Sequence, residues 1–126
     1  MAKRIFISYS FRDAGLRNDL VRFFKDHLIE ATPTFIDDDI SGAGDEGIKA
    51  RIRAQMKECA GLLVLAGEKA HNSPWIQYEA GVANEFGIRK AAVRHPARSG
   101  GLPNAHVGMP EVAWDAKQLA QLVASW

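Results

Sequence analysis

A single cysteine, Cys59, stands in a chain of 126 residues. A lone thiol excludes an intramolecular disulfide and any zinc site built from several cysteines, and it agrees with a reducing compartment. Excess charge of one sign is also missing. Sixteen Lys and Arg face fifteen Asp and Glu, a formal net charge of +1, which leaves no electrostatic footprint for bulk nucleic-acid binding or a polybasic membrane role. Long apolar runs are absent as well. The longest, Leu62 to Ala66, falls far short of the ~20 residues of a membrane span, and the first residues lack a signal-peptide core. The expectation is a cytoplasmic protein that contacts neither nucleic acid nor membrane. There is no internal repeat, low-complexity tract or Pro/Gly/Ser-rich linker, so residues 1–126 read as one domain with a single hydrophobic core.

What is present is an alternation of strand and helix. Arg4 to Tyr9 is a short β-rich apolar run, and Asp13 to Glu30 follows with Leu16, Leu20, Phe23, Phe24, His27 and Leu28 at helical spacing. This pattern places His27 on the buried face. Thr34 to Ile36 reads as a second strand. Beyond a polar, glycine-rich loop, Ile48, Ile52 and Met56 mark one face of a second helix capped by Asp45. Leu62 to Ala66, apolar on both faces, belongs in the middle of a parallel sheet covered on each side. The third helix starts with Ser73 as cap and Pro74 in the first helical position, and Gly87 lies just past its end. Ala91 to Val93 makes a fourth strand. After a loop from His95 to Pro110, Val112 to Trp114 makes a fifth, and Asp115 caps a last helix through Ala124. Such an order predicts an α/β protein with a flavodoxin-like, doubly wound parallel sheet of five strands.

Ligands of open α/β sheets bind beyond the carboxyl ends of the strands. Those ends carry Ser8, Tyr9 and Ser10, then Asp37, Asp38 and Asp39, then Gly67, Glu68 and the segment from His71 to Glu79. With Trp75 as origin and about 100° per residue, Glu79 falls at about 40°, between Phe86 at about 20° and Ala83 at about 80°. A carboxylate inside the apolar stripe is either desolvated, which raises its pKa and strengthens its field on a nearby cation, or satisfied by a salt bridge to Arg51 or Arg53. Glu85, near 280° on the same wheel, reads as a solvated contrast.

Gly42 to Gly47 spells G-x-G-x-x-G, but it does not follow the first strand, and Asp37 to Asp39, Asp45 and Glu46 would repel a pyrophosphate. No Gly-Lys-Ser/Thr marks a P-loop, and the third strand is not followed by the Asp of a phospho-receiver. His71, His95 and His106 lack metal-ligand spacing, so no metal and no resident cofactor are expected. Arg89, Lys90, Arg94, His95 and Arg98 form a basic cluster that reads as a solvated edge or a hold for an acidic group. Trp75 reads as a core anchor or a stacking surface, and Cys59 as a small buried hydrophobe.

Lys3 to Tyr9 (KRIFISY), the acidic loop after the second strand, Gly61 to Gly67 (GLLVLAG) and above all Asn72 to Glu79 (NSPWIQYE) resemble a TIR domain. Together with Val112-Ala113-Trp114 before the final helix, they are most similar to the TIR-like proteins of bacterial Thoeris anti-phage defence. The resemblance implies cleavage of the nicotinamide-ribose bond of NAD with Glu79 as the catalytic carboxylate. It implies that Phe6, Ser8 and Tyr9 line the pocket floor, that Asp38, Asp39 and Ser41 belong to a loop over the nucleotide, and that Trp75 packs against the catalytic face. It further implies a cyclic ADP-ribose-type product, a separate nucleotide-sensing effector reached through that product, and compatibility with homo-oligomerisation. Two other readings stand beside it: a TIR module that is catalytically inert and works by docking or self-association, and a nucleoside deoxyribosyltransferase-like enzyme.

Overall fold

The structure, a computed structural model, describes residues 3–9, 14–36, 44–66, 74–94 and 111–126. In chain order these form β1 (Lys3–Ser8), α1 (Ala14–Asp26), β2 (Ala31–Thr34), α2 (Gly44–Met56), β3 (Gly61–Ala66), α3 (Pro74–Phe86), β4 (Arg89–Arg94), β5 (Glu111–Val112) and α4 (Ala116–Ser125). The strands make one sheet in the order β2-β1-β3-β4-β5, and every neighbouring pair is parallel. This is the doubly wound, flavodoxin-like arrangement expected from the sequence.

The order of the strands decides which face each helix covers. The chain leaves β1 for one edge, then reverses across the sheet toward β3 and β4, and right-handed crossovers put helices on opposite faces when the direction reverses. Alternation along β1 follows suit: Ile5, Ile7 and Tyr9 pack with Leu16, Leu20, Leu119 and Val123 of α1 and α4, whereas Phe6 packs with Ile48, Ile52, Met56, Ile76 and Ala83 of α2 and α3. In the central β3, Leu62 to Leu65 contribute side chains to both layers and are wholly buried, as a strand without alternation requires.

Helix α1 ends four residues before the sequence pattern suggested. Leu28 adopts φ 52°, its N–H donates to the Lys25 carbonyl, and the N–H of Ile29 donates to Phe24, a Schellman closure. The turn carries His27 out of the apolar stripe to the surface, where its ring lies 4.3 Å from that of Phe23. The expectation of a core His27 is therefore corrected. The reversal also starts β2 early, at Ala31 opposite Lys3, and Phe35 and Ile36 fall beyond the strand. Pro33 is accommodated because β2 is an edge strand.

β4 is longer than Ala91 to Val93, and β5 is shorter and earlier than Val112 to Trp114. Trp114 instead leaves the strand to pack against Phe23, with ring centroids 5.4 Å apart. The cap of α4 is as read: the Asp115 carboxylate accepts from the N–H of Gln118 at 2.9 Å. Gly87, at φ 70°, closes α3 by a second Schellman motif, with Ile88 donating to Ala83. The cap expected from Asp45 is corrected, because α2 already begins at Gly44 and takes Asp45 into its first turn; the cap expected from Ser73 lies outside the described residues. At the far end of the chain Trp126 lies so close over Gly61 that any side chain there would overlap its ring. Lys3 donates to the carbonyls of Val123, Ala124 and Trp126, which satisfies acceptors left open at the end of α4.

Candidate functional site

Two elements meet at the carboxyl side of the sheet where the strand order reverses. β1 ends at Ser8, which is in register with Val64 of β3. α3, which follows β3, brings Glu79 over that end from its second turn. The Ser8 hydroxyl donates to Glu79 Oε1 at 2.7 Å. Ser8 is 0% exposed and Glu79 is 5% exposed, so the pair is enclosed. The neighbours of Glu79 in the helix, Ile76, Ala80 and Ala83, are also buried. The apolar stripe that picked out Glu79 in the sequence thus becomes its surroundings.

The salt bridge that would have made this carboxylate structural is not formed. Arg53 spends both terminal nitrogens on Glu85, at 2.8 and 2.9 Å, and Arg51 points into solvent. Among the described residues no cation pairs with Glu79. Burial without a counter-charge pushes its pKa up to about 8, against which the Ser8 hydrogen bond acts in the opposite direction. Glu85 behaves as the exposed contrast, its carboxyl held below the ordinary value by the hydrogen bond from Arg53.

The other residues singled out in the sequence divide between the two faces. Phe6 lies in the α2/α3 layer beneath the pair, fully buried. Trp75, one turn before Glu79, packs on the rim of that layer with its ring edge-on to Tyr78, 6.1 Å between centroids. Tyr9 faces the opposite layer. Its hydroxyl donates to the carbonyl of Ile36 at 2.7 Å and accepts from Arg17 Nη1 at 2.7 Å. Asp38, Asp39 and Ser41 lie outside the described residues, as do Ser10, Asp37, Gly67, Glu68, His71, His95, Arg98 and His106.

Arg17 is the residue that the sequence reading passed over. It is 8% exposed, stacked 4.4 Å from the ring centroid of Phe35 and 5.0 Å from that of Tyr9. Its spacing to Leu20 and Phe24 is three and seven residues, so it sits in the same helical stripe and carried the same signal as Glu79. It ties the end of β1 to the end of β2. The basic cluster is partly consumed by the fold: Arg89 donates to the carbonyl of Ser125 at 2.7 Å, and Arg94 pairs with Glu111 at 3.0 Å. The Cys59 thiol is half-buried, donates to the Gln55 carbonyl at 3.3 Å and has its pKa pushed up to about 11 by burial, which makes it unreactive. Among the described residues no group of three or more His, Cys, Asp or Glu gathers as metal ligands, and no helix is long and apolar enough to cross a membrane.

Comparison with known proteins places this geometry. Residues 6–97 match the family described as Thoeris protein ThsB, TIR-like domain. Among solved structures, the SEFIR domain of interleukin-17 receptor B superposes with a TM-score of 0.67 at 9% identity, covering 97% of both chains. A prokaryotic SEFIR domain gives 0.59 at 15% identity, covering 97% of this chain and 92% of that one. The CMP N-glycosidase BcmB of Clostridium botulinum gives 0.50 at 17% identity, covering 98% and 100%. At these identities the likeness is one of fold. No curated protein matches.

Proposed function

Because the chain belongs to the TIR-like family of the Thoeris protein ThsB, we propose that it is an NAD-consuming enzyme. It breaks the nicotinamide-ribose bond and forms a cyclic ADP-ribose-type signal for a separate effector in anti-phage defence. The observation that carries this reading is the enclosed Ser8–Glu79 pair, a carboxylate buried without a cationic partner among the described residues at the sheet's switch point.

In this chemistry the bond between the ribose anomeric carbon and the pyridinium nitrogen breaks. Its electron pair leaves with nicotinamide, which becomes neutral, and positive charge develops on the ribose. A carboxylate in a low-dielectric site stabilises that charge strongly, either through space or by a transient bond to the anomeric carbon. Attack by a nucleophilic group of the same nucleotide closes a cyclic product, and attack by water gives the linear one. Glu79 takes the carboxylate role and Ser8 holds it in place. Trp75 and Phe6 shape the walls, whereas Tyr9, expected on the pocket floor, lies in the opposite layer; the family resemblance gives Asp38, Asp39 and Ser41, which lie outside the described residues, the role of covering the nucleotide.

The reading as an inert docking module expects an occluded Glu79, locked in a salt bridge with no cavity beside it; the carboxylate is buried, but no described cation meets it. The nucleoside reading keeps the same carboxylate, and one fold neighbour is a CMP N-glycosidase. A single assay separates them. Purified protein is incubated with NAD and, in parallel, with nucleosides and nucleoside monophosphates, and the products are identified by mass. Nicotinamide release with a cyclic product, lost in Glu79→Gln, is expected. Full activity in Glu79→Gln overturns the site, and base release from nucleosides in place of NAD turnover overturns the substrate.

A further inference from the structure

Few of the described groups act on Glu79. Burial and the Ser8 hydroxyl set its titration, and no charged side chain among the described residues reaches it. What keeps the carboxylate against Ser8 is therefore the placing of α3 itself. The stripe that α3 buries around Glu79 consists of Ile76, Ala80 and Ala83. Alanines offer no long ridges to interlock with the sheet, so this face holds the helix in the core but resists a roll about its own axis weakly. Roll matters here. A side-chain tip about 5–6 Å from the helix axis moves by roughly 2 Å when the helix turns by about 20°, enough to break a hydrogen bond such as that from Ser8.

Another flank of α3 carries the fastenings. Arg53 of α2 gives Nη1 and Nη2 to the two carboxylate oxygens of Glu85, at 2.8 and 2.9 Å, and its guanidinium lies 5.3 Å from the ring centroid of Phe86. Glu85, and after it Tyr78, hold that guanidinium charged. One turn earlier on α2, Lys49 Nζ stands 5.4 Å from the centroid of the Tyr78 ring, whose edge-on partner is Trp75. Tyr78 directly precedes Glu79 in the chain, and Glu85 lies about two turns beyond Tyr78. Contacts at two heights on one flank fix the roll of a helix. The forked Arg53–Glu85 pair adds to this, because a planar bidentate contact has one favoured orientation where a point charge has many.

Stability does not explain these contacts. The Arg53 and Glu85 side chains are 41% and 55% exposed, and exposed ion pairs add little to folding. Their effect is alignment.

We propose that Arg53 is a positioning residue for Glu79: by gripping Glu85 and Phe86 while Lys49 covers Tyr78, it sets the roll of α3 that aims the Glu79 carboxylate at Ser8. This role rests on the proposed NAD chemistry only for its effect on rate. The aim of Glu79 itself is read without substrate.

Titration of Glu79 in the full chain, followed by carbon NMR of the side-chain carboxyl and assigned with Glu79→Gln, tests it. Arg53→Met keeps the stem over Phe86 and removes the fork, and Glu85→Gln keeps the shape of the partner and removes its charge. Neither residue acts on Glu79 through its charge, so a shift reports movement of α3. Both variants are expected to fold and to lower the Glu79 midpoint by about one unit, as the carboxylate rolls toward water. Loss of the Ser8 hydrogen bond alone would move the midpoint up, so the direction identifies the roll. For nicotinamide release, kcat is expected to fall about tenfold while KM changes less than about twofold. A Glu79 midpoint that stays at or rises above the wild-type value in either variant overturns the positioning role, as does an unchanged kcat where wild type is active. Wild-type protein that releases no nicotinamide overturns the NAD reading instead, and the titration still decides the role of Arg53.

Discussion

The Ser8 hydroxyl donates to Glu79 Oε1 at 2.7 Å across 71 residues of sequence, joining the end of the first strand to the second turn of the third helix. The contact lies inside the sheet-helix interface, where a carboxylate is unfavourable for folding. Its surroundings therefore dictate how it titrates, how much it costs and what removal of either partner does.

The first expectation concerns pH. In the proposed reaction Glu79 must be ionised to stabilise a developing cation, and burial has pushed its pKa up to about 8. NAD turnover, measured as kcat/KM for nicotinamide release, is expected to rise with pH and to level off only above about 8. A profile that is already flat between about pH 5 and about pH 7 would show that the group in use is an ordinary carboxylate.

Stability should move the opposite way. A carboxyl whose pKa is raised from 4.5 to about 8 on folding leaves the native state fully stable below the unfolded value, and that stability is lost as pH rises through the folded value. Glu79→Gln keeps the shape without the charge. It is expected to match wild type near pH 4.5 and to exceed it by up to about 5 kcal/mol above pH 8, read by denaturant unfolding at the two pH values. A variant less stable than wild type at the higher pH would indicate that Glu79 is held by a cation.

Ser8→Ala removes the only side-chain donor that the described residues offer to Glu79 while leaving a residue of similar size in a fully buried position. The carboxylate loses a hydrogen bond to its ionised form, so the rising limb of the pH profile should move up by about one unit. Catalysis at neutral pH should fall with it. If Ser8 acted only in packing, the rate would change and the midpoint would stay where it is.

Tyr9→Phe probes the other face. It deletes the hydroxyl that links Arg17 Nη1 to the carbonyl of Ile36, and is expected to cost about 1–3 kcal/mol of stability. Since Tyr9 lies in the layer opposite Glu79, the midpoint of the pH profile should not move. A shifted midpoint would mean that the two layers are coupled through the end of β1.

Gly61 tests the amino end of the central strand. A methyl group there overlaps the ring of Trp126, so Gly61→Ala should destabilise by about 1–3 kcal/mol. Combining it with Trp126→Ala should recover part of that loss, because the clash is then gone. Thermal unfolding of the single and double variants reads both effects.

How much of this was written in the chain differs from place to place, for physical reasons. The unalternating run of Leu62 to Leu65 required a strand covered on both faces, and the 3.6-residue spacing around Glu79 required a carboxylate in a buried stripe. Both are periodicities of local geometry and need no partner to be recognised. The same spacing marks Arg17, but a long cationic side chain beside an apolar stripe can equally carry its head group to solvent, so only the packed rings of Tyr9 and Phe35 fix it inside. The spacing could not say whether Glu79 would find a cation: the sequence offered Arg51 and Arg53, and the packing of α2 on α3 gives Arg53 to Glu85. Nor could a run of Leu16 to Leu28 show that the helix would turn back at Leu28, since that ending depends on β2 reaching its register against Lys3. Local composition thus determined the sheet, the stripe and the candidate carboxylate. Only the tertiary structure decided that Ser8 meets Glu79 while Tyr9, its immediate neighbour, faces away, because adjacent strand residues point to opposite faces and each face is covered by different helices.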